Sequence, residues 1–224
     1  EFLPTHIFSG ILFLLYIIYK TKVLKEYNVF TSPMDYAAIA LVAAYFISIF
    51  VATNVRSAIG ELLKYINYFI AFYLVSDLPR TKNDIKAILW AMVISAFGVA
   101  FVGIGAAAGS FTYRGAFVNG RINSTLQYPN TLAAYLTAAF MISTSLWATA
   151  EDRPQKTVLA FINYSLFLCF LFTLSRGAWL LFPAFYLILV LGMPGQHRMK
   201  VIGYSFQSFI AGVLASPGFG MAIS

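Results

Sequence analysis

Residues Thr157 to Gly192 form an apolar stretch broken in the middle by Ser175-Arg176-Gly177. As a single helix these 36 residues would extend roughly 54 Å at about 1.5 Å per residue, against a hydrocarbon thickness of about 30 Å. One helix is too long for a bilayer, so the stretch must reverse. An arginine at the bilayer centre costs about 2.5 to 3.5 kcal/mol even on the lenient insertion scale, which places Arg176 at a membrane face. Gly177, lacking a Cβ, is expected to ease the reversal. An arginine held at a membrane face by a tight helical hairpin is a candidate site for an anion.

The rest of the chain agrees with a membrane setting. Hydrophobic residues make up 60% and charged residues 10%, with a mean hydropathy of +0.79, whereas soluble domains carry about 25% charge. Apolar runs near Phe2–Tyr19, Tyr36–Ala52, Leu62–Ser76, Ile85–Gly109, Thr131–Ala150, Thr157–Leu174, Ala178–Gly192 and Val201–Ser216 predict eight helices. The expected fold is an all-α polytopic transmembrane bundle, with residues 1–224 as a single domain. Glu1 in place of a methionine, and a stop at Ser224 soon after the eighth run, suggest a piece of a longer polypeptide with C-terminal sequence missing. Cys169 is alone and inside a predicted span, which excludes an intramolecular disulfide and a zinc site built on cysteines. No metal, cofactor or nucleic acid is expected.

Basic residues set the orientation. Of the fifteen, ten fall after odd-numbered runs: Lys20, Lys22, Lys25, Arg80, Lys82, Lys86, Arg153, Lys156, Arg198 and Lys200. By the positive-inside rule that side is cytoplasmic and the N-terminus faces outward. The other five are Arg56, Lys64, Arg114, Arg121 and Arg176. Lysines predominate inside and arginines outside. Lysine suits topology and attraction to anionic headgroups, while the planar guanidinium makes bidentate contacts to phosphate. The outer face is therefore expected to hold a phosphorylated ligand.

The longest outward connection, Ser110 to Asn130, mixes Arg114 and Arg121 with aromatics, glycines and amides, and Pro129 stands just before the next helix. Pro129 at a helix start with Asn130 as a candidate N-cap would turn free N–H groups and the positive helix end toward the loop. The alternative is an ordinary solvated loop. On the third run Arg56, Gly60, Lys64 and Asn67 share one helical face, either as a ligand-lining stripe or as an interfacial turn in which Glu61 neutralises Lys64. Gly105 and Gly109 form a small-residue pair expected to serve helix packing.

Two segments resemble those of the O-antigen ligase and O-antigen polymerase superfamily of bacterial envelope enzymes. One is Gly120-Arg121-Ile122-Asn123-Ser124-Thr125-Leu126-Gln127-Tyr128-Pro129-Asn130 running into the small-residue-rich Thr131–Leu136; the other is Thr173-Leu174-Ser175-Arg176-Gly177-Ala178-Trp179. The resemblance covers roughly Arg56 to Leu191. It implies a multi-pass protein of the bacterial inner membrane that transfers a glycan from an undecaprenyl-diphosphate carrier to an acceptor hydroxyl on a lipid core, a polymer or a protein, with neither a nucleotide sugar nor a required metal. Arg121, Arg176, Arg114, Asn130, Arg56 and Lys64 are the expected substrate-binding residues. Members of the superfamily also carry a large outward loop with a histidine proposed to activate the acceptor. Neither His6 nor His197 matches it, and the chain reaches Ala215–Gly220 about where that loop would begin, so no general base is assigned.

A transporter or flippase of a lipid-linked glycan is the main alternative, and a scaffold subunit a third; ion-coupled transporters usually place ionisable groups within the membrane, and here most acids fall in predicted loops. The orientation has a direct test. In a Cys169→Ser background, single cysteines at Asn123 and Lys82 should react with an impermeant thiol reagent from opposite sides of the membrane. Labelling at position 123 only after the membrane is opened would reverse the assignment.

Overall fold

A computed structural model describes residues 4–110, 115–126 and 128–223. Among them eight α-helices are found: α1 (Pro4–Lys22), α2 (Pro33–Ser48), α3 (Val55–Asp77), α4 (Lys82–Ala107), α5 (Pro129–Thr149), α6 (Arg153–Phe172), α7 (Arg176–Gly192) and α8 (Gly195–Ile223), with a 3-10 turn, Ile49–Val51, after α2. Five of the helical segments, Pro33–Val51, α3, α4, α5 and α6, are long and apolar enough to cross a membrane, while α7 is a shorter apolar helix. The protein is a multi-pass, all-α membrane protein. Two compact units make up the chain, residues 1–84 and 85–224.

In the first unit α3 packs against both α1 and α2. Helix starts are encoded locally. Ser32 caps α2 by accepting from the Met34 N–H at 3.2 Å, Asp35 accepts from the Ser32 N–H at 2.9 Å, and Pro33 occupies the first turn, where its missing N–H costs nothing. Asn54 caps α3 through the Ser57 N–H at 3.1 Å. Lys20, expected in a loop, is instead buried at the end of α1. Its ammonium donates to Asp77 at 2.6 Å and to the Tyr73 hydroxyl at 3.1 Å, and Tyr16 donates to the same carboxylate at 2.8 Å. A charge at that depth persists because carboxylate and hydroxyls replace its water.

The polar stripe of α3 is matched within this unit. Lys64 pairs with Glu61 at 2.6 Å with both side chains about half exposed, the Ser9 hydroxyl donates to Asn67, and the Gly60 position faces open space. Arg56 is exposed, without a polar partner among the described residues.

In the second unit α6 is the axis, packed against both α5 and α8. The tight α5–α6, α6–α7 and α7–α8 connections make successive helices antiparallel. The N-termini of α5 and α7 thus share one end with the C-terminus of α6. On α4, Val93, Ala96, Ala100, Gly103 and Ala107 recur at spacings of three and four as a buried stripe of mostly small residues. A Cβ on Gly103 would lie 2.6 Å from Ile122 Cγ2, 3.1 Å from Ser124 Cβ and 3.3 Å from Cys169 Sγ. Gly103 is thus the glycine that closeness demands. Gly109, expected to pack, does something else: with φ of +69° it closes α4, its N–H bonding to Ala106 and that of Ser110 to Gly105, and open space surrounds its Cβ position.

Asn163, fully buried on α6, donates to the Tyr204 hydroxyl of α8 at 2.8 Å and to Thr144 of α5 at 3.4 Å, a polar tie across three helices. At the far end, α8 runs through Ser216-Pro217-Gly218 to Ile223 rather than ending at Ser216.

Gly103→Ala should lower thermal stability in detergent, because overpacking costs about 1 to 3 kcal/mol. Gly98→Ala, whose Cβ would meet nothing within 4 Å, should leave the melting temperature unchanged or raised. Equal melting temperatures for the two variants would contradict the close approach at Gly103.

Candidate functional site: a basic cavity where three helix ends meet

Within the connection before α5, residues 116–124 form a hairpin. Asn119 and Gly120 both adopt positive φ, +53° and +72°, as a two-residue type I′ turn requires. Strands β1 (Phe117–Val118) and β2 (Arg121–Ile122) pair on either side, with Val118 opposite Arg121 and Phe117 opposite Ile122. The N–H groups of Asn123 and Ser124 then bond to the Ala116 carbonyl at 2.8 and 2.9 Å. Ala116, Ile122 and Ser124 are buried, and the Ser124 hydroxyl donates to the Val99 carbonyl of α4. Strand alternation decides the rest: with Ile122 turned into the core, Arg121 points the other way.

That other way is the turn between α6 and α7. Leu174 makes the reversal, in the left-handed region at φ +49°, while Gly177, expected to do so, sits inside the first turn of α7 with open space around its Cβ position. The Leu174 N–H bonds to the Leu171 carbonyl. The buried Thr173 hydroxyl donates to the Phe170 carbonyl at 2.7 Å and accepts from the Ser175 N–H at 3.4 Å. Two carbonyls remain at the end of α6, and Arg121 takes both: its Nε donates to Thr173 at 2.8 Å and an Nη to Leu174 at 3.3 Å. The same Nη reaches Asn130 Oδ1 at 3.3 Å. A cation at a helix C-terminus is favoured by the dipole as well as by the hydrogen bonds.

Asn130 is not the N-cap of α5. Tyr128 holds that position without a side-chain cap bond, Pro129 follows, and Asn130 lies inside the first turn. Helix α7 likewise begins after Ser175 without a side-chain cap bond. Both starts border a cavity of about 590 Å³ lined by Arg121, Asn130, Leu174, Arg176, Gly177 and Trp179. Its described lining contains two guanidinium groups and no carboxylate. The Arg176 side chain is exposed and has no hydrogen-bond or ion-pair partner among the described residues. Partial positive charge from two helix starts adds to that of Arg176, whereas the negative end of α6 is covered by Arg121.

No protein-family model, curated protein or solved structure matches the chain.

The structure thus brings together Arg121, Asn130 and Arg176. Arg114 lies outside the described residues, and Arg56 and Lys64 belong to the first unit. Trp179 and the carbonyls of Thr173 and Leu174, although within the resembling segment, were not among the expected binding residues. Asn119-Gly120 was the readable signal for the hairpin, being the strongest short-range turn dipeptide.

The two arginines should separate in a stability measurement. Arg121→Ala leaves two helix-terminal carbonyls without their charged donor and should destabilise the protein by about 1.5 to 3 kcal/mol. Arg176→Ala removes no bond to a described residue and should melt like the parent. Thermal unfolding in detergent reads both, and an unchanged Arg121→Ala would refute the capping role.

Proposed function

We propose that this chain carries the donor-diphosphate site of a membrane glycosyltransferase of the O-antigen ligase or polymerase type. It would act at the outer face of a bacterial inner membrane, N-terminus outside, moving a glycan from an undecaprenyl-diphosphate carrier to an acceptor hydroxyl. The supporting observation is the cavity in which the unpartnered Arg176 guanidinium meets the uncapped starts of α5 and α7 with no carboxylate in the described lining. Such an arrangement suits an anion, and the leaving group of this reaction is one.

In the transfer, the bond between the anomeric carbon and the diphosphate oxygen breaks and the acceptor oxygen bonds to that carbon. The departing diphosphate gains the charge. Arg176 is the group free to meet it, because Arg121 is already committed to α6 and to Asn130. A guanidinium aimed at an oxygen whose charge grows stabilises the transition state more than the ground state. Arg121 acts through position: it fixes the turn from which Arg176 projects. Arg114, outside the described residues, is carried in this proposal as a further contact because it shares the connection that holds Arg121, whereas Arg56 and Lys64 lie in the other unit and are given no part in it. The acceptor's proton leaves to a base outside the described lining, which holds neither carboxylate nor imidazole.

Transport or flipping of the same lipid-linked glycan is the second reading, and one observation favours it: the pairing of the buried Lys20 with the partly exposed Asp77, since ionisable pairs in membrane helices often mark transport paths. The two readings differ in product. Transfer makes a new glycoside from donor and acceptor on one face, whereas a flippase only moves the donor across.

The test is Arg176→Lys in the protein as its gene encodes it, with expression and membrane insertion shown unchanged. Lysine keeps the charge and loses the fork. Loss of one transition-state contact of this kind costs about 100- to 1000-fold in rate. Glycan transfer should fall by that factor. Near-normal transfer by a well-inserted Arg176→Lys protein would reject the diphosphate role and leave Arg176 as a headgroup anchor, since lysine snorkels equally well.

A further inference from the structure

We propose that the opposite end of the second unit holds a binding site for one anionic glycerophospholipid. There the C-terminal turn of α5, the first three turns of α6 and the third and fourth turns of α8 line an open depression of about 480 Å³, formed by Trp147, Lys156, Thr157, Ala160, Tyr164, Tyr204 and Gln207. Its size falls in the range of small-molecule pockets, about 300 to 1,000 Å³. The chemistry is graded along the helix axes. Lys156 lies in the first turn of α6 and Tyr164 two turns deeper. Gln207 lies on α8, which runs parallel to α6 from the same end.

The wall is rigid and aromatic. Trp147 and Tyr204 stack at 3.9 Å with an interplanar angle of 10°, and the Tyr204 hydroxyl is pinned by Asn163 at 2.8 Å and by the Leu159 carbonyl at 3.3 Å. Lys156 sits over the Trp147 ring, 5.8 Å from its centroid. That contact orients the ammonium without neutralising it. Among the described residues Lys156 has no carboxylate partner, and the Tyr164 hydroxyl and Gln207 amide have no hydrogen-bond partner. Three donors therefore converge on a cavity whose described lining has no acid.

The occupant follows from what lies on each side. Toward the helix ends lie Arg198 and Lys200 of α8, Arg153, exposed and unpaired among the described residues in the same first turn as Lys156, and Glu151 and Asp152, the latter accepting from Gln155 at 3.3 Å. Toward the membrane the lining faces continue as exposed apolar side chains, Phe161 four residues after Thr157 and Ile210 three after Gln207. A ligand with an anionic head, a polar waist and apolar tails matches that sequence of surfaces. Tryptophan, tyrosine and lysine at a helix end are also the side chains that favour the headgroup level. A soluble phosphate would leave the apolar strip unused.

The site has a built-in reporter. In residues 1–224 with Trp90→Phe and Trp179→Phe, Trp147 is the remaining tryptophan, and brominated lipids in mixed micelles quench it on contact. Brominated phosphatidylglycerol should reach half-quenching at about a fivefold lower mole fraction than brominated phosphatidylcholine, the factor corresponding to about 1 kcal/mol for one lysine at an anionic surface. Lys156→Gln should abolish the difference, and Lys156→Arg, which keeps charge and stacking, should retain it. Equal quenching by the two lipids, a preference that survives Lys156→Gln, or loss of quenching on adding millimolar inorganic phosphate at constant ionic strength would each overturn the proposal. The last outcome would assign the cavity to a soluble phosphate. An unchanged emission maximum for the Trp147 reporter in the Lys156 variants shows that the Trp147–Tyr204 wall is intact.

Discussion

The arrangement of the basic cavity rests on Arg121 and the two carbonyls it meets. A helix that ends at a membrane rim exposes carbonyl groups with little water to satisfy them, and each one left unpaired is costly. Arg121 supplies donors to Thr173 and Leu174 from the neighbouring hairpin and reaches Asn130 with the same group. One side chain thereby ties the hairpin, the end of α6 and the start of α5. It also changes the electrostatics of the rim. With the negative end of α6 covered, the groups that remain are the positive starts of α5 and α7 and the guanidinium of Arg176, which has no partner among the described residues.

Close approach makes that geometry possible. Ile122 and Ser124 reach α4 because position 103 has no Cβ, and the small residues above and below it keep the stripe shallow. The hairpin is thus set into the bundle, which fixes the direction of Arg121. The same unit is tied at a second level by Asn163, whose Nδ2 reaches α5 and α8. Asn163 Oδ1 and Ser143 Oγ are buried without a hydrogen-bond partner among the described residues. Such atoms cost about 1 to 3 kcal/mol each.

The helices were legible in the sequence because the bilayer admits few alternatives to apolar spans of limited length. The α6–α7 reversal was legible for the same reason, and Arg121, Asn130 and Arg176 were all singled out by residue type. Their roles were not. Chain reversal was assigned to Gly177, but Leu174 accepts the left-handed conformation while Arg121 and Thr173 bond the groups around it. Lys20 read as a loop lysine because its partner Asp77 is distant in the chain. Gly103 was passed over for Gly105 and Gly109, since nothing local to a helix says which glycine another segment will touch.

By itself the sequence determined an all-α membrane protein, the length and limits of most spans, and a concentration of arginines in particular connections. These follow from hydrophobic length, proline and cap chemistry, and the energetic penalty of charge in hydrocarbon, all of which act over a few residues. Tertiary structure decided which arginine is spent and which is free. That distinction depends on where the carbonyls of α6 end in space relative to a hairpin fifty residues earlier, a matter of packing at Gly103 and strand alternation at Ile122 rather than of any local signal.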